Sequence, residues 1–186
     1  DLGSSSVKAS ILNGETGVVV ARSTYPDNEL TIEASRPGWA EQHPDTWWEA
    51  VRGATSRVLS SATIDARKVS GIGISYQMHG LVVVDSKGSI LRPAIIWCDS
   101  RAVEIGRRAF DAIGPDRCLT ALLSSPGNFT ASKLAWVREA EPEVFKRVYR
   151  AMLPGDWLAY ALTGRMATTM PGLSEGMFWD FERHGL

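Results

Sequence analysis

The order of the first dozen residues constrains this chain more than any other feature. Asp1-Leu2-Gly3-Ser4-Ser5-Ser6 is a glycine-serine loop, and it opens onto Val7, Ala9 and Ile11 alternating with Lys8 and Ser10. A period of two predicts a strand. Asn13-Gly14 follows as a tight-turn signal, and a second strand is expected through Val18, Val19 and Val20. Rossmann and P-loop nucleotide folds need their glycine loop to open a helix, so the hairpin order speaks against both. The loop nonetheless has the parts of a phosphate site. Gly3 lets the backbone approach closely, successive N–H groups can form an anion nest, and Ser4, Ser5 and Ser6 supply three hydroxyls. Asp1 can hold a hydrated Mg²⁺, which takes one or two carboxylates plus phosphate oxygens and water. A ligand-free Gly/Ser β-turn is the alternative.

Further along, Pro44 stands at a helix entrance, and Trp47, Val51, Ala54 and Val58 form an apolar stripe at helical spacing. Val69–Ser75 and Leu81–Val84 read as strands, the first one buried, and Ala94–Trp97 as a further apolar run. Asp99 or Ser100 is the expected cap of a helix carrying Ala102, Ile105, Ala109 and Ile113 and ending at Gly114-Pro115. A short helix through Leu119 and Leu122, a helix over 131–139, one from Pro142 through Val148, and one over 156–162 closed by Gly164 complete the reading. The class is α/β, a compact unit that opens with β-hairpins.

With 186 residues and 44% apolar content the chain can bury a full core without disulfides or metals. Twenty basic residues against 21 acidic ones give a net charge of −1, which offers no field for nucleic acid or an anionic membrane. Cys98 and Cys118 lack metal or redox spacing and are expected as reduced thiols of a cytoplasmic protein. No Ser/His/Asp order, HExxH or Cys/His spacing supports a hydrolase or zinc enzyme. Asp1 in place of an initiator Met, and a carboxyl end without a closing element, lead us to expect a fragment.

Two strand ends carry convergent polar groups. Ser75-Tyr76-Gln77-Met78-His79-Gly80 offers donors and acceptors at Gln77 and His79. Trp97-Cys98-Asp99-Ser100-Arg101 offers a flat aromatic face at Trp97 and an acceptor at Asp99. A satisfied core histidine with a gap-filling Met, and an N-cap with a surface cation, are the plain alternatives. The loop-like stretches Pro37–Gln42, Gly127–Leu134 and Gly172–Gly176 mix polar groups with aromatics.

Taken in order, Asp1–Lys8, Pro37-Gly38-Trp39-Ala40-Glu41-Gln42, Gln77-Met78-His79-Gly80, Trp97–Arg101, Phe129-Thr130-Ala131-Ser132-Lys133-Leu134, Gly164 and Trp179 resemble the amino-terminal lobe of the FGGY carbohydrate kinases. The resemblance covers nearly the whole chain. It implies an actin-like, ribonuclease H-like ATPase lobe, a mixed sheet flanked by helices, with residues 1–186 as the sugar-binding lobe, incomplete at its carboxyl end and lacking the second lobe. It implies ATP and Mg²⁺ as cofactors, with Asp1 as the metal and catalytic residue and Gly3, Ser4, Ser5, Ser6 and Lys8 facing the phosphate. Gln77, Met78, His79, Trp97, Asp99 and Arg101 would hold the sugar. The implied reaction phosphorylates a terminal hydroxyl of a ketopentose, D-xylulose first, by a protein that a homodimer would suit. Gluconate, ribulose or fuculose are alternative substrates, and a non-catalytic ATP-binding protein of the actin and Hsp70 type is the alternative outside catalysis.

The family's general base is an Asp in a Gly-Asp-Asn or Gly-Asp-Gln context, and no such string occurs in residues 1–186. The base is therefore expected beyond Leu186, and this chain alone should not turn over. Glu175 stands where relatives commonly carry Asp and is a weak candidate for that role.

Overall fold

Period-two patterning after the serine loop builds a hairpin in the computed structural model, which describes residues 1–61 and 64–186. Strand β1 (Val7–Leu12) pairs antiparallel with β2 (Val19–Tyr25), Val7 opposite Tyr25. The connection is longer than the Asn13-Gly14 signal predicts. Asn13 Oδ1 accepts the N–H groups of Glu15 and Thr16 at 2.9 and 3.0 Å, and the positive φ falls on Gly17. A side-chain acceptor has replaced the backbone bond of a two-residue turn.

Strand β3 (Glu41–Gln42) leads into α1 (Pro44–Ser61), whose first residue is the expected proline. Its stripe Trp47, Ala50, Ala54 and Val58 is buried, and the helix lies across both strands of the hairpin. Strand β4 (Val82–Val84) divides the core. Val82 and Val84 join Leu2, Val7, Trp47, Ile96, Met152 and Trp157, whereas Leu81 and Val83 join Ile95 and Val137 on the other face. A strand covered on both faces needs apolar side chains at every position, and the run Leu81–Val84 supplies them. Each such side chain is worth about 1.5–3 kcal/mol when fully buried.

Backbone pairing comes in short pieces. Strand β5 (Ala94–Ile95) pairs with β3, and β4 pairs with β6 (Arg150–Met152), both antiparallel. Single bridges from Leu81 to Ile95 and, in parallel sense, from Leu2 to Tyr76 join these ladders. Strand β6 was not expected. Its three residues carry no period of their own, and their pairing is with β4 some 70 positions away.

The strand expected over Val69–Ser75 does not form. Ile72 is 72% exposed and Val69 45% exposed, and only the far end is anchored, where Leu2 N–H donates to Ser75 O and accepts from Gln77 N–H through its own carbonyl. Gly71 and Gly73 leave one face of this stretch without side chains to bury, which removes the packing that holds a strand.

Helix α2 (Val103–Ile113) ends at Gly114, whose φ of 93° lets the chain reverse before α3 (Pro115–Arg117) and a wider turn over Cys118–Leu122. Neither Asp99 nor Ser100 caps α2. The cap position is Ala102, without a side-chain bond, because Asp99 is turned into the interior. Helices α4 (Thr130–Ala140), α5 (Pro142–Phe145) and α6 (Pro154–Thr163) follow, α5 shorter than expected and α6 closed by Gly164 at φ 71°. Helix α7 (Met170–Glu175) occupies a stretch read as loop, since six residues containing Pro171 and Gly172 show no period. Among the described residues no helix is long and apolar enough to cross a membrane.

Candidate active site

The serine loop is held from below by one buried side chain. Gln42 donates through Nε2 to Ser4 O at 2.6 Å and to Thr31 O at 3.2 Å, while its Oε1 accepts the Trp47 indole N–H at 2.9 Å. Its amide thus joins the serine loop to Trp47 of α1 and to the chain at Thr31. Gly3 N–H donates to Ser6 O at 3.1 Å, and a Cβ on Gly3 would meet that same oxygen at 2.8 Å, so the turn requires glycine. Among the described residues the N–H groups of Ser4, Ser5 and Ser6 have no protein acceptor. Asp1 and Lys8 sit at the mouth of the loop, Lys8 Nζ 3.6 Å from the Asp1 carboxylate and both about half exposed.

The second group lies beside it, because Leu2 and Tyr76 are bridged. Tyr76 packs its ring against Gly155 at the start of α6, where any side chain would collide with it. Its hydroxyl donates to Glu175 Oε2 at 3.3 Å, and burial with the nearby Glu175 and Asp156 charges pushes its pKa up to about 12. Gln77 is buried with neither amide atom bonded, while Met78 is 55% exposed. His79 adopts the left-handed conformation, φ 59°. For a residue with a Cβ this costs about 1–2 kcal/mol. Its N–H donates to Glu175 Oε1 at 2.6 Å and its C=O accepts from Lys133 Nζ at 2.6 Å. The ring meets Phe129 edge-on at 4.2 Å, and its Nδ1 lies 3.6 Å from Glu175 Oε1. Burial lowers the His79 pKa, and the Glu175 charge opposes that shift in part.

Trp97, half exposed, stands at the wall of this face and donates through Nε1 to Ser4 Oγ at 3.2 Å. Trp97 thus touches the serine loop at Ser4, and Gln77 reaches the same loop through its backbone bond to Leu2. Asp99 and Arg101 do not line this face. The Asp99 carboxylate is fully buried and accepts from Ala40 N–H at 2.6 Å, from Arg101 N–H and from the Arg101 guanidinium. That guanidinium, 1% exposed, also pairs with Glu41 at 2.6 Å and lies over the rings of Trp39 and Trp136 at 3.7 and 4.8 Å. Arg92 extends the network by joining Glu41 to Glu141. The expected sugar contacts at Asp99 and Arg101 therefore give way to an internal brace, since every lone pair of Asp99 facing a donor is already taken.

Three residues of the site had no individual reading in the sequence: Gln42, Thr130 and Lys133. Thr130 Oγ1 donates to Gly80 O at 3.1 Å. Lys133 is fully buried, and burial pulls its pKa down to about 8. A lysine inside an otherwise helical run gives no sign of burial; the one available signal is its place three residues after a helix start, beside the aromatic Phe129. Three surface grooves of about 470, 350 and 570 Å³ lie elsewhere, and none is lined by Gln77, Met78, His79 or Trp97.

Comparison with known proteins gives the family. The model of the FGGY family of carbohydrate kinases, N-terminal domain, matches residues 1–184. Xylulose kinase of Klebsiella pneumoniae is 40% identical over 183 residues, 98% of this chain and 36% of that protein. A xyloylose kinase from Brucella ovis superposes with a TM-score of 0.85 at 31% identity, over 96% of this chain and 36% of that one. Glycerol kinase of Plasmodium falciparum, at 18% identity and TM-score 0.85, shares the fold. The chain spans 36% of the length of the first of these relatives. By its hairpin-first loop, its order of motifs and its actin-like ATPase fold, this chain belongs to the FGGY family of carbohydrate kinases.

Proposed function

We propose that the protein carrying this chain transfers a phosphoryl group from ATP to a hydroxyl of D-xylulose, giving D-xylulose 5-phosphate. Residues 1–186 would be its sugar-binding lobe. The observation that supports this most is the Trp97 to Ser4 hydrogen bond, which ties a face with hydroxyl-binding groups to a loop with free anion donors. The names of the relatives favour xylulose over gluconate, ribulose or fuculose.

In this reading the free N–H groups and hydroxyls of Ser4, Ser5 and Ser6 receive the phosphate, and Lys8 adds charge at the mouth. Such donors, fixed in advance by Gln42, stabilise charge that develops during transfer. Mg²⁺, when bound, neutralises phosphate charge, and Asp1 is the residue that would hold it. A single exposed carboxylate suits a cation that draws its other ligands from phosphate and water. Among the described residues no cluster of three acidic, His or Cys ligands offers a fuller cage. His79 and Met78, with Gln77 and Trp97, would meet the sugar. Asp99 and Arg101 would support that face from behind.

Glu175 is a poor general base, because its two oxygens are engaged by His79 N–H and the Tyr76 hydroxyl. By the family resemblance the acceptor proton would go to an Asp in a Gly-Asp-Asn or Gly-Asp-Gln context, a string that residues 1–186 do not contain. The reading places the protein in the cytoplasm, without nucleic-acid or membrane partners, and a homodimer suits it. Calorimetric titration of the full-length protein with D-xylulose, gluconate, ribulose and fuculose tests it. Saturable binding of D-xylulose, tighter than of the others, is expected. Tight ATP binding with no response to any sugar would overturn it in favour of a non-catalytic ATP-binding protein.

A further inference from the structure

Glu175 and Lys133 take no part in the chemistry above, yet they converge on one residue of the sugar face, holding the peptide groups on either side of His79. Glu175 Oε1 accepts the His79 N–H at 2.6 Å, and Lys133 Nζ donates to the His79 C=O at 2.6 Å. The next carbonyl, of Gly80, accepts from Thr130 Oγ1. These three side chains come from α4 and α7, and the two helices are themselves joined where Ala131 N–H donates to Gly176 O at 2.9 Å. The backbone pairing that fixes this stretch stops at Gln77, which bonds to Leu2. Beyond Gln77 the chain enters the left-handed region at His79, a conformation it leaves unless both of its peptide groups are held. The same carboxylate faces His79 Nδ1 at 3.6 Å, so it bears on the ring as well as on the backbone.

We propose that Glu175 and Lys133 are positioning residues that clamp the His79 peptide in its left-handed conformation and so set where Met78 and His79 meet the sugar. The inference rests on the sugar-face reading above. A clamp of this kind acts through hydrogen bonds to main chain, so an acceptor at position 175 matters more than its charge. It also makes the two residues interdependent, because each is worth less once the other has let the peptide go.

The test is steady-state kinetics of the full-length protein with D-xylulose, joined to ring resonances of ¹⁵N-histidine-labelled protein, in which His79 is assigned by its loss in His79→Gln. Glu175→Gln keeps an acceptor, and its KM should stay within about threefold of the parent. Glu175→Ala and Lys133→Met should each raise KM about tenfold with kcat within about threefold, and the double variant should raise it by less than the product of the two. The His79 ring resonances should move in both single variants. Glu175→Ala, at a partly exposed position, decides the matter if Lys133→Met does not fold. A parental KM in Glu175→Ala, or a lowered melting temperature with unmoved His79 resonances, overturns the clamp. If the parent neither binds nor phosphorylates D-xylulose, the sugar reading fails, while the His79 resonances still decide the clamp.

Discussion

Trp97 Nε1 lies 3.2 Å from Ser4 Oγ, joining two stretches of chain 93 residues apart. One is the wall of the candidate sugar face and the other the loop with free anion donors. In the proposed function the bond would give sugar and phosphate a common frame, so a change at either end should be felt at the other. Trp97→Phe keeps the flat ring and removes the donor. We expect a stability loss below about 1 kcal/mol in urea unfolding and a fall of about three- to tenfold in kcat/KM for D-xylulose. An unchanged kcat/KM would show that the two sites do not communicate through this bond.

Asp1→Asn in the full-length protein should lower kcat about a hundredfold or more, while the KM for sugar stays within about threefold. The carboxylate lies at the mouth of the serine loop beside Lys8. Turnover at the parental rate would remove Asp1 from the phosphate site.

His79→Ala should raise the sugar KM about tenfold. Burial lowers the His79 pKa from its ordinary value, which favours the neutral imidazole. Sugar affinity should weaken on acidification, as the ring takes up a proton. Affinity that strengthens on acidification would contradict this.

Arg101→Met should cost about 3–5 kcal/mol in chemical denaturation, because it leaves the buried Asp99 and Glu41 carboxylates without their shared partner. Arg101→Lys should recover only part of the loss, since an ammonium can neither bridge both carboxylates in a plane nor stack on Trp39 and Trp136. A variant as stable as the parent would place the brace elsewhere.

Lys133 has a pKa of about 8 in the fold, against 10.5 for the unconstrained side chain. Between these values the unfolded chain binds a proton that the folded chain does not, so stability rises with pH through this window. Below about pH 8 the cost of charging the buried amine is complete, on the order of 3 kcal/mol. Denaturation midpoints of parent and Lys133→Met should therefore diverge as pH falls from 10.5 to 8 and stay parallel below. A constant difference across that range would show that the amine is not desolvated.

Much of the fold is legible in the sequence because local periodicity reports burial. The alternation at Val7–Ile11, the stripe from Trp47 to Val58 and the proline and glycine ends of the helices appear where the residues place them. The misreadings share a cause. Residues 69–75 look apolar enough for a strand, but a strand also needs a partner and a covered face, and glycines at 71 and 73 provide no side chain to cover. Strand β6 looks like nothing, yet pairs with β4.

The candidate site divides in the same way. Residue type and order alone determined the hairpin-first loop, its glycine and hydroxyls, and the polar run Gln77-Met78-His79-Gly80, because the chemistry of these groups is carried by the residues themselves. Only the tertiary structure decided that Asp99 and Arg101 face inward, that Gln42 fixes the loop, and that Glu175 and Lys133 grip His79 from two helices. A carboxylate, a guanidinium or an ammonium reads identically in a sequence whether it meets solvent, substrate or another side chain. What distinguishes these roles is the set of partners within hydrogen-bond reach, and long-range folding alone brings those partners together.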